Sequence, residues 1–345
     1  MAALFGESAI ARIERVIPGL MAEAGVPGLS MALVEDAAPL WRGAFGIKEQ
    51  GKVAAPGQLV DDRTVFEAAS LSKPVFAYAV LKLCDDGLLE LDTPLARYLP
   101  APYSAYGLDP DEPRLQRVTA RHVLSHSSGM GNWENANIGR FSFAPGEQFL
   151  YSGEGYMYLQ RVVEELTGRP LGPYMQERVL DPFDMIDSSY TWRDRYERQA
   201  ARGHGGRDGG AGTRWPEAYA AYSLYSTPTD YARVLVELMR TVPGDADRLN
   251  QETLDRMLTP RTPIDDTLSW GLGWGVLRTD RGDYFWHWGD MRDYQHFTIA
   301  SRARRHGLVV MTNSEHGLPV CRDIVAELMG LPFAHPLDMV LRLGW

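Results

Sequence analysis

Residues 70–87 read SLSKPVFAYAVLKLCDDG, and the fold is read outward from them. The stretch 73–86 is rich in helix formers. Pro74 sits where a first turn tolerates proline, and Gly87 supplies the stop. Ser70 and Lys73 are three apart, so on a helix they share a face. A helix N-terminus offers free N–H groups and positive dipole character. That setting suits a nucleophilic serine whose proton passes to an adjacent amine, since a plain hydroxyl is unreactive without a base. The amine must be neutral to accept it, and burial near positive charge disfavours the ammonium form. A solvated lysine in an ordinary first turn fits the spacing equally well. Only four lysines occur in the chain, and one of them is kept here.

Upstream, residues 7–24 carry Ile10, Ile13, Val16, Ile17 and Leu20 at helical spacing, and Gly25 closes the pattern. Residues 28–35 and 40–47 read as two strands of a hairpin. Downstream, from about 92 to 225, strand signals are few. Helices are predicted at 119–125, 153–167, 170–180 and 228–240, the last capped by Thr227 or Thr229. WGVLRTD (274–280), DYFWHWG (283–289), YQHFTIAS (294–301) and HGLVVMTNS (306–314) read as consecutive antiparallel strands. A helix at 320–329 and a short tail follow. Residues 203–212, GHGGRDGGAG, are too glycine-rich for a packed element and read as an exposed loop. The order implies an α+β unit over 1–345. Segments 1–65 and 226–345 would build a sheet layer, and 66–225 a mostly helical lobe. A cleft between lobes is the natural place for a site.

Composition narrows the function. The chain has 345 residues, 45% apolar and 23% charged, an ordinary globular mixture. A formal net charge of −10 argues against nucleic acid as a partner. No apolar run approaches the ~20 residues of a membrane span. Two cysteines, Cys84 and Cys321, make neither a thiolate zinc site nor a disulfide framework. The first residues show no basic-then-apolar leader, so the expected location is cytoplasmic.

Two further segments carry chemistry. In FLYSGE (149–154), Tyr151 precedes the helix predicted from 153. It can face a cleft as a proton relay, or serve as a core tyrosine. In FWHWGD (285–290), strand alternation sends Phe285, His287 and Gly289 one way and Trp286 and Trp288 the other. Gly289 permits close backbone approach. His287 fits either a ligand-binding or a half-buried structural role. His122 and His126 have metal-pair spacing, but no nearby carboxylate completes a ligand set, so no metal is expected. The chain has no GxSxG, HExxH, GxGxxG or GxxxxGK motif.

Ser-x-x-Lys, then a Tyr-x-Asn variant, then Lys/His-x-Gly resembles the signature of the penicillin-recognising serine hydrolases. The branch is the one holding class C β-lactamases, D-Ala-D-Ala carboxypeptidases and family VIII esterases. VTARHVLSHSSGM, FAPGEQFLYSGEGYMYL, LYSTPTDYARVL and HGLVVMTNS resemble recurrent text of that family. The resemblance implies a β-lactamase/transpeptidase-like fold. It has an antiparallel sheet flanked by terminal helices and an all-α lobe. It implies no cofactor, and a small ester or amide as substrate. Ser70 would be acylated, Lys73 and Tyr151 would share the proton work, and the N–H groups of Ser70 and Asp290 would form an oxyanion hole. Gly153, His287, Trp288 and Gly289 would meet the substrate. Two departures stand out: Gly153 replaces the usual Asn, and His287-Trp288-Gly289 replaces Lys-Thr-Gly. Both point away from an efficient β-lactamase and toward esters or unusual amides. Acyl transfer, weak β-lactam or D-peptide cleavage, and non-catalytic binding are the alternatives.

Overall fold

The computed structural model describes residues 4–52, 54–105, 107–132, 139–205 and 212–343. Helix α1 (Glu7–Ala24) leads into strands β1 (Gly28–Glu35) and β2 (Ala38–Gly46). A short strand β3 (Phe66–Glu67) and one 3-10 turn (Ala69–Leu71) precede α2 (Ser72–Asp85). Helices α3 (Ala120–Leu124), α4 (Gly153–Thr167), α5 (Leu171–Met175) and α6 (Tyr196–Gln199) follow, then strand β4 (Tyr225–Ser226). Helices α7 (Pro228–Leu238) and α8 (Gln251–Leu258) lead to β5 (Thr262–Pro263), β6 (Leu268–Trp270) and β7 (Gly275–Thr279). Strands β8 (Gly282–Asp290), β9 (Gln295–Ser301) and β10 (His306–Thr312) complete the sheet before α9 (Gly317–Met329) and α10 (His335–Leu343).

Eight strands form one sheet in the order β2-β1-β10-β9-β8-β7-β6-β5, all neighbours antiparallel. The pairing of β1 with β10 joins the two ends of the chain: Leu29 of β1 lies opposite Thr312 of β10. The alternation of side chains sorts two cores. Leu308 and Val310 of β10 join α1, α9 and α10 on one face. Val309 and Met311 face the other way, into the core that also holds α2, α4 and α7. Helix α7 lies against β1, β10 and β2, capped by Thr227, whose hydroxyl accepts from Asp230 N.

The structure departs from the sequence expectation at several elements, and helices α6 and α8 are additional to those expected. The helix expected over 170–180 is α5 followed by a wide π turn at Gln176–Leu180. Helix α9 starts at Gly317, three residues before the expected 320. The expected tail is helix α10, which buries Leu337, Met339 and Val340 at helical spacing. The two-residue pairing of β3 with β4 is too short to leave a periodic signal. Most of the expected glycine-rich loop, residues 206–211, lies outside the described residues, as do Gly344 and Trp345.

Candidate active site

Helix α2 is buried along nearly its whole length, a central post with apolar residues all round. Its entry is sharply bent. Ala69 sits at φ +50, a left-handed conformation costly for a residue with a Cβ. Surrounding hydrogen bonds hold the bend. Ala68 N donates to Leu224 O (2.7 Å), and Ser72 Oγ donates to Ala69 O (2.6 Å) while accepting from Leu224 N (2.9 Å). Tyr231 and Tyr190 donate to the carbonyls of Leu71 and Ser72. Ser70 stands at the turn, half-buried.

Lys73 is 1% exposed. Its Nζ donates to Ser70 Oγ at 3.0 Å and to Ala221 O at 2.9 Å, and lies 4.8 Å from the Tyr151 ring centre. The spacing read from sequence therefore places amine, serine and tyrosine in one cluster. Tyr151 is buried, with its ring 4.3 Å from His126 and 4.6 Å from Trp288.

His126 is the residue the sequence reading missed. Its backbone is left-handed, φ +51. Its carbonyl accepts from Leu150 N (2.8 Å) and its Nδ1 from Ser152 N (3.0 Å). Tyr151 is thus fixed on both flanks and across its ring by one residue, through its carbonyl and its ring. Burial, then the charge of Lys73, holds the His126 imidazole far below its ordinary range. Its partner in the weighed metal pair, His122, is occupied elsewhere: Nδ1 accepts from Thr119 N as part of a capping box on α3. Among the described residues no three His, Cys, Asp or Glu gather as a metal site.

Strand β8 brings in the third segment. Gly289 lies against the nucleophile turn, where a Cβ would meet Ala68 O at 2.5 Å, so only glycine permits this approach. Asp290 ends β8, half-buried, with its carboxylate accepting from Arg292 N (2.8 Å) and Gln295 Nε2 (2.9 Å). His287 is fully buried, its ring 6.2 Å from Tyr151. Burial, then Lys73, pulls its pKa down to about 3, so it is neutral at pH 7. Trp288 is 1% exposed, stacked on Trp286 and tilted against Tyr151, so it backs the tyrosine rather than lining an open surface.

Gly153 opens α4, with Ser152 as its cap. The Gly153 N–H donates to Asn132 Oδ1 (3.0 Å), so a carboxamide does stand beside this position, delivered from another segment. Glu154, the next residue, is fully buried. Its carboxyl accepts from Gly139 N (3.2 Å), and burial raises its pKa to about 7.

This geometry, a serine at a strained turn with a buried lysine and a tyrosine beside it on a mixed α+β frame, defines a penicillin-recognising serine hydrolase. The family profile described as Beta-lactamase matches residues 13–328, and the chain belongs to that family. It is similar to Esterase EstB of Burkholderia gladioli, 28% identical over 90% of this chain and 91% of that one. It is 28% identical to the lovastatin esterase of Penicillium rubens (strain ATCC 28089 / DSM 1075 / NRRL 1951 / Wisconsin 54-1255), over 58% of this chain and 60% of that one. The structure of a class C β-lactamase mutant superposes with a TM-score of 0.79 at 18% identity, covering 93% of this chain and 97% of that one. No helix among the described residues is long and apolar enough to cross a membrane.

Proposed function

We propose that this chain cleaves a carboxylic ester or small amide through an acyl-enzyme on Ser70. The observation that carries it is the 3.0 Å contact from the buried Lys73 amine to Ser70 Oγ, with Tyr151 packed beside that amine. In this reading Ser70 Oγ attacks the substrate carbonyl carbon as its proton passes into the Lys73–Tyr151 pair. The N–H groups of Ser70 and Asp290 bind the developing oxyanion, an interaction worth about 3 kcal/mol per donor in comparable sites. Tyr151 returns the proton to the leaving oxygen or nitrogen as that bond breaks. Water then attacks the acyl-enzyme, giving up its proton along the same path and freeing the Ser70 hydroxyl. The esterase relatives and the neutral His287 favour esters over β-lactams.

The test is intact mass after a fluorophosphonate probe. One adduct on the wild type and none on Ser70→Ala is the expected result. An adduct, or undiminished ester turnover, on Ser70→Ala overturns the assignment. A second reading, transfer of the acyl group to an amine or alcohol, is favoured by the dry aromatic wall of Trp270, Trp274 and Trp288 around His287. It predicts that added amine diverts product from acid to amide.

A further inference from the structure

We propose that the cavity beside Glu67 binds one water-sized monovalent cation, potassium or ammonium, behind the nucleophile turn. The site is separate from the ester-cleaving centre and stands whether or not that assignment holds.

Glu67 lies in β3, directly opposite Tyr225 of β4. Its side chain is buried, the residue being 4% exposed. One carboxylate oxygen accepts from Thr213 N, and the other accepts no hydrogen bond among the described residues. The cations nearby are spent elsewhere. Arg214 pairs with Glu197 and lies over the Trp192 ring, and Arg202 pairs with Glu49. The charge that does bear on Glu67 is Asp293, which is negative as well. A buried carboxylate without a counter-charge is costly, so a cation that reaches it is held.

The carboxyl lines a cavity walled by the mutually packed rings of Trp192, Tyr196 and Tyr225, with Tyr294 beside them. It leaves about 20 Å³ for the centre of a water-sized body, where one such body needs roughly 10–15 Å³. The phenol protons are directed away from it. Tyr225 Oη donates to Thr213 O, and Tyr294 Oη donates to Ala201 O (2.9 Å). Each oxygen is therefore left with lone pairs, one of Tyr225's going to Trp215 N (3.1 Å). The Trp215 indole N–H favours the charged carboxyl from nearby but completes no hydrogen bond. Lone pairs and ring faces around one unbalanced negative charge suit a cation. Its charge is single, because no three His, Cys, Asp or Glu gather as a metal site among the described residues. The place matters to the turn, since Glu67 O accepts from His296 Nε2 (2.7 Å) three residues before Ser70.

The experiment compares thermal unfolding of the full chain at equal ionic strength in potassium, ammonium and choline chloride, choline being too large for the cavity. At about pH 8, potassium or ammonium should raise the wild-type midpoint over choline by about 2 °C or more, and the ion giving the larger rise is the one the site takes. Near pH 5 the carboxyl holds its own proton, and the three salts should act alike. Glu67→Gln has no charge to balance and should show no ion dependence. Equal wild-type midpoints in the three salts at the higher pH overturn the proposal and leave the cavity to water. A rise as large near pH 5, or one that persists in Glu67→Gln, overturns it too, because the ion then binds elsewhere. A second measurement needs only the wild type. Ion and proton compete for one carboxyl, so saturating potassium or ammonium chloride at about pH 7 should release about half a proton per chain over a protein-free blank, and choline chloride none. Release no greater than with choline overturns the proposal.

Discussion

At the scale of the residue, the site is a problem of placing protons. Lys73 reaches Ser70 from one helical turn away, and nothing else within the described hydrogen bonds can relieve Ser70 Oγ of its proton. Lys73→Met should therefore lower kcat/KM by about a hundredfold to ten thousandfold while leaving the urea midpoint near wild type. His126 acts one step removed, through Tyr151. His126→Gly keeps a residue that tolerates the left-handed backbone but removes the ring and its acceptor for Ser152 N. A buried donor left unpaired costs about 1–3 kcal/mol, and kcat should fall about tenfold or more as Tyr151 loosens. An unchanged kcat with a lowered unfolding free energy would confine His126 to stability. Ser70 and Lys73 were legible as a pair because three residues put them on one helical face, whereas Tyr151, read alone, fitted a core tyrosine equally and was singled out by the family resemblance. His126 was not, because its bond to Ser152 spans 26 residues and its only visible pattern, the pairing with His122, pointed to a metal.

At the scale of the element, β8 and the nucleophile turn meet through a single missing side chain. Gly289→Ala would drive its methyl to 2.5 Å from Ala68 O, and one of the two backbones must move. Displacing an oxyanion donor by even part of an ångström lowers kcat/KM by about a hundredfold. The overpacking itself should cost only about 1–3 kcal/mol, so a kinetic loss much larger than the shift in thermal midpoint is the expected outcome. Equal, small effects on both would mean that β8 and the turn move together. The strands themselves were readable, since β10 holds an apolar run bounded by turn residues, β9 holds the strand formers Phe297, Thr298 and Ile299, and β1 follows a clear glycine stop. What the periodicity hid was α10 and the β3–β4 pairing. One looked like a tail because it is short, and the other has only two residues per strand.

At the scale of the molecule, ionisation couples the site to overall stability. Glu67, three residues before Ser70, is buried beneath Thr213, and burial lifts its pKa from 4.5 to about 7 against the help of the Thr213 N–H. Between those values the folded chain keeps a proton that the unfolded chain has released. Its stabilising effect is present below pH 4.5, and is lost as pH rises through about 7. Glu67→Gln should match wild type near pH 4.5 and exceed it increasingly toward pH 8, by up to about 3 kcal/mol, in urea titrations at the two pH values. A constant difference would show that Glu67 ionises freely in the native state. The lobes' shared frame was legible from the order of strands and helices, but this coupling was not, since it depends on which carboxyl the fold happens to enclose.

The junction of Leu29 with Thr312, where the first strands meet the last, sets a schedule for synthesis. A ribosome releases the serine, the lysine and the tyrosine long before it delivers β10, so a nascent chain holds every reactive group with no sheet to back them. The hairpin of β1 and β2 must wait with an open edge until about 260 further residues arrive, a contact order that makes closure slow and gives chaperones a defined strand edge to guard.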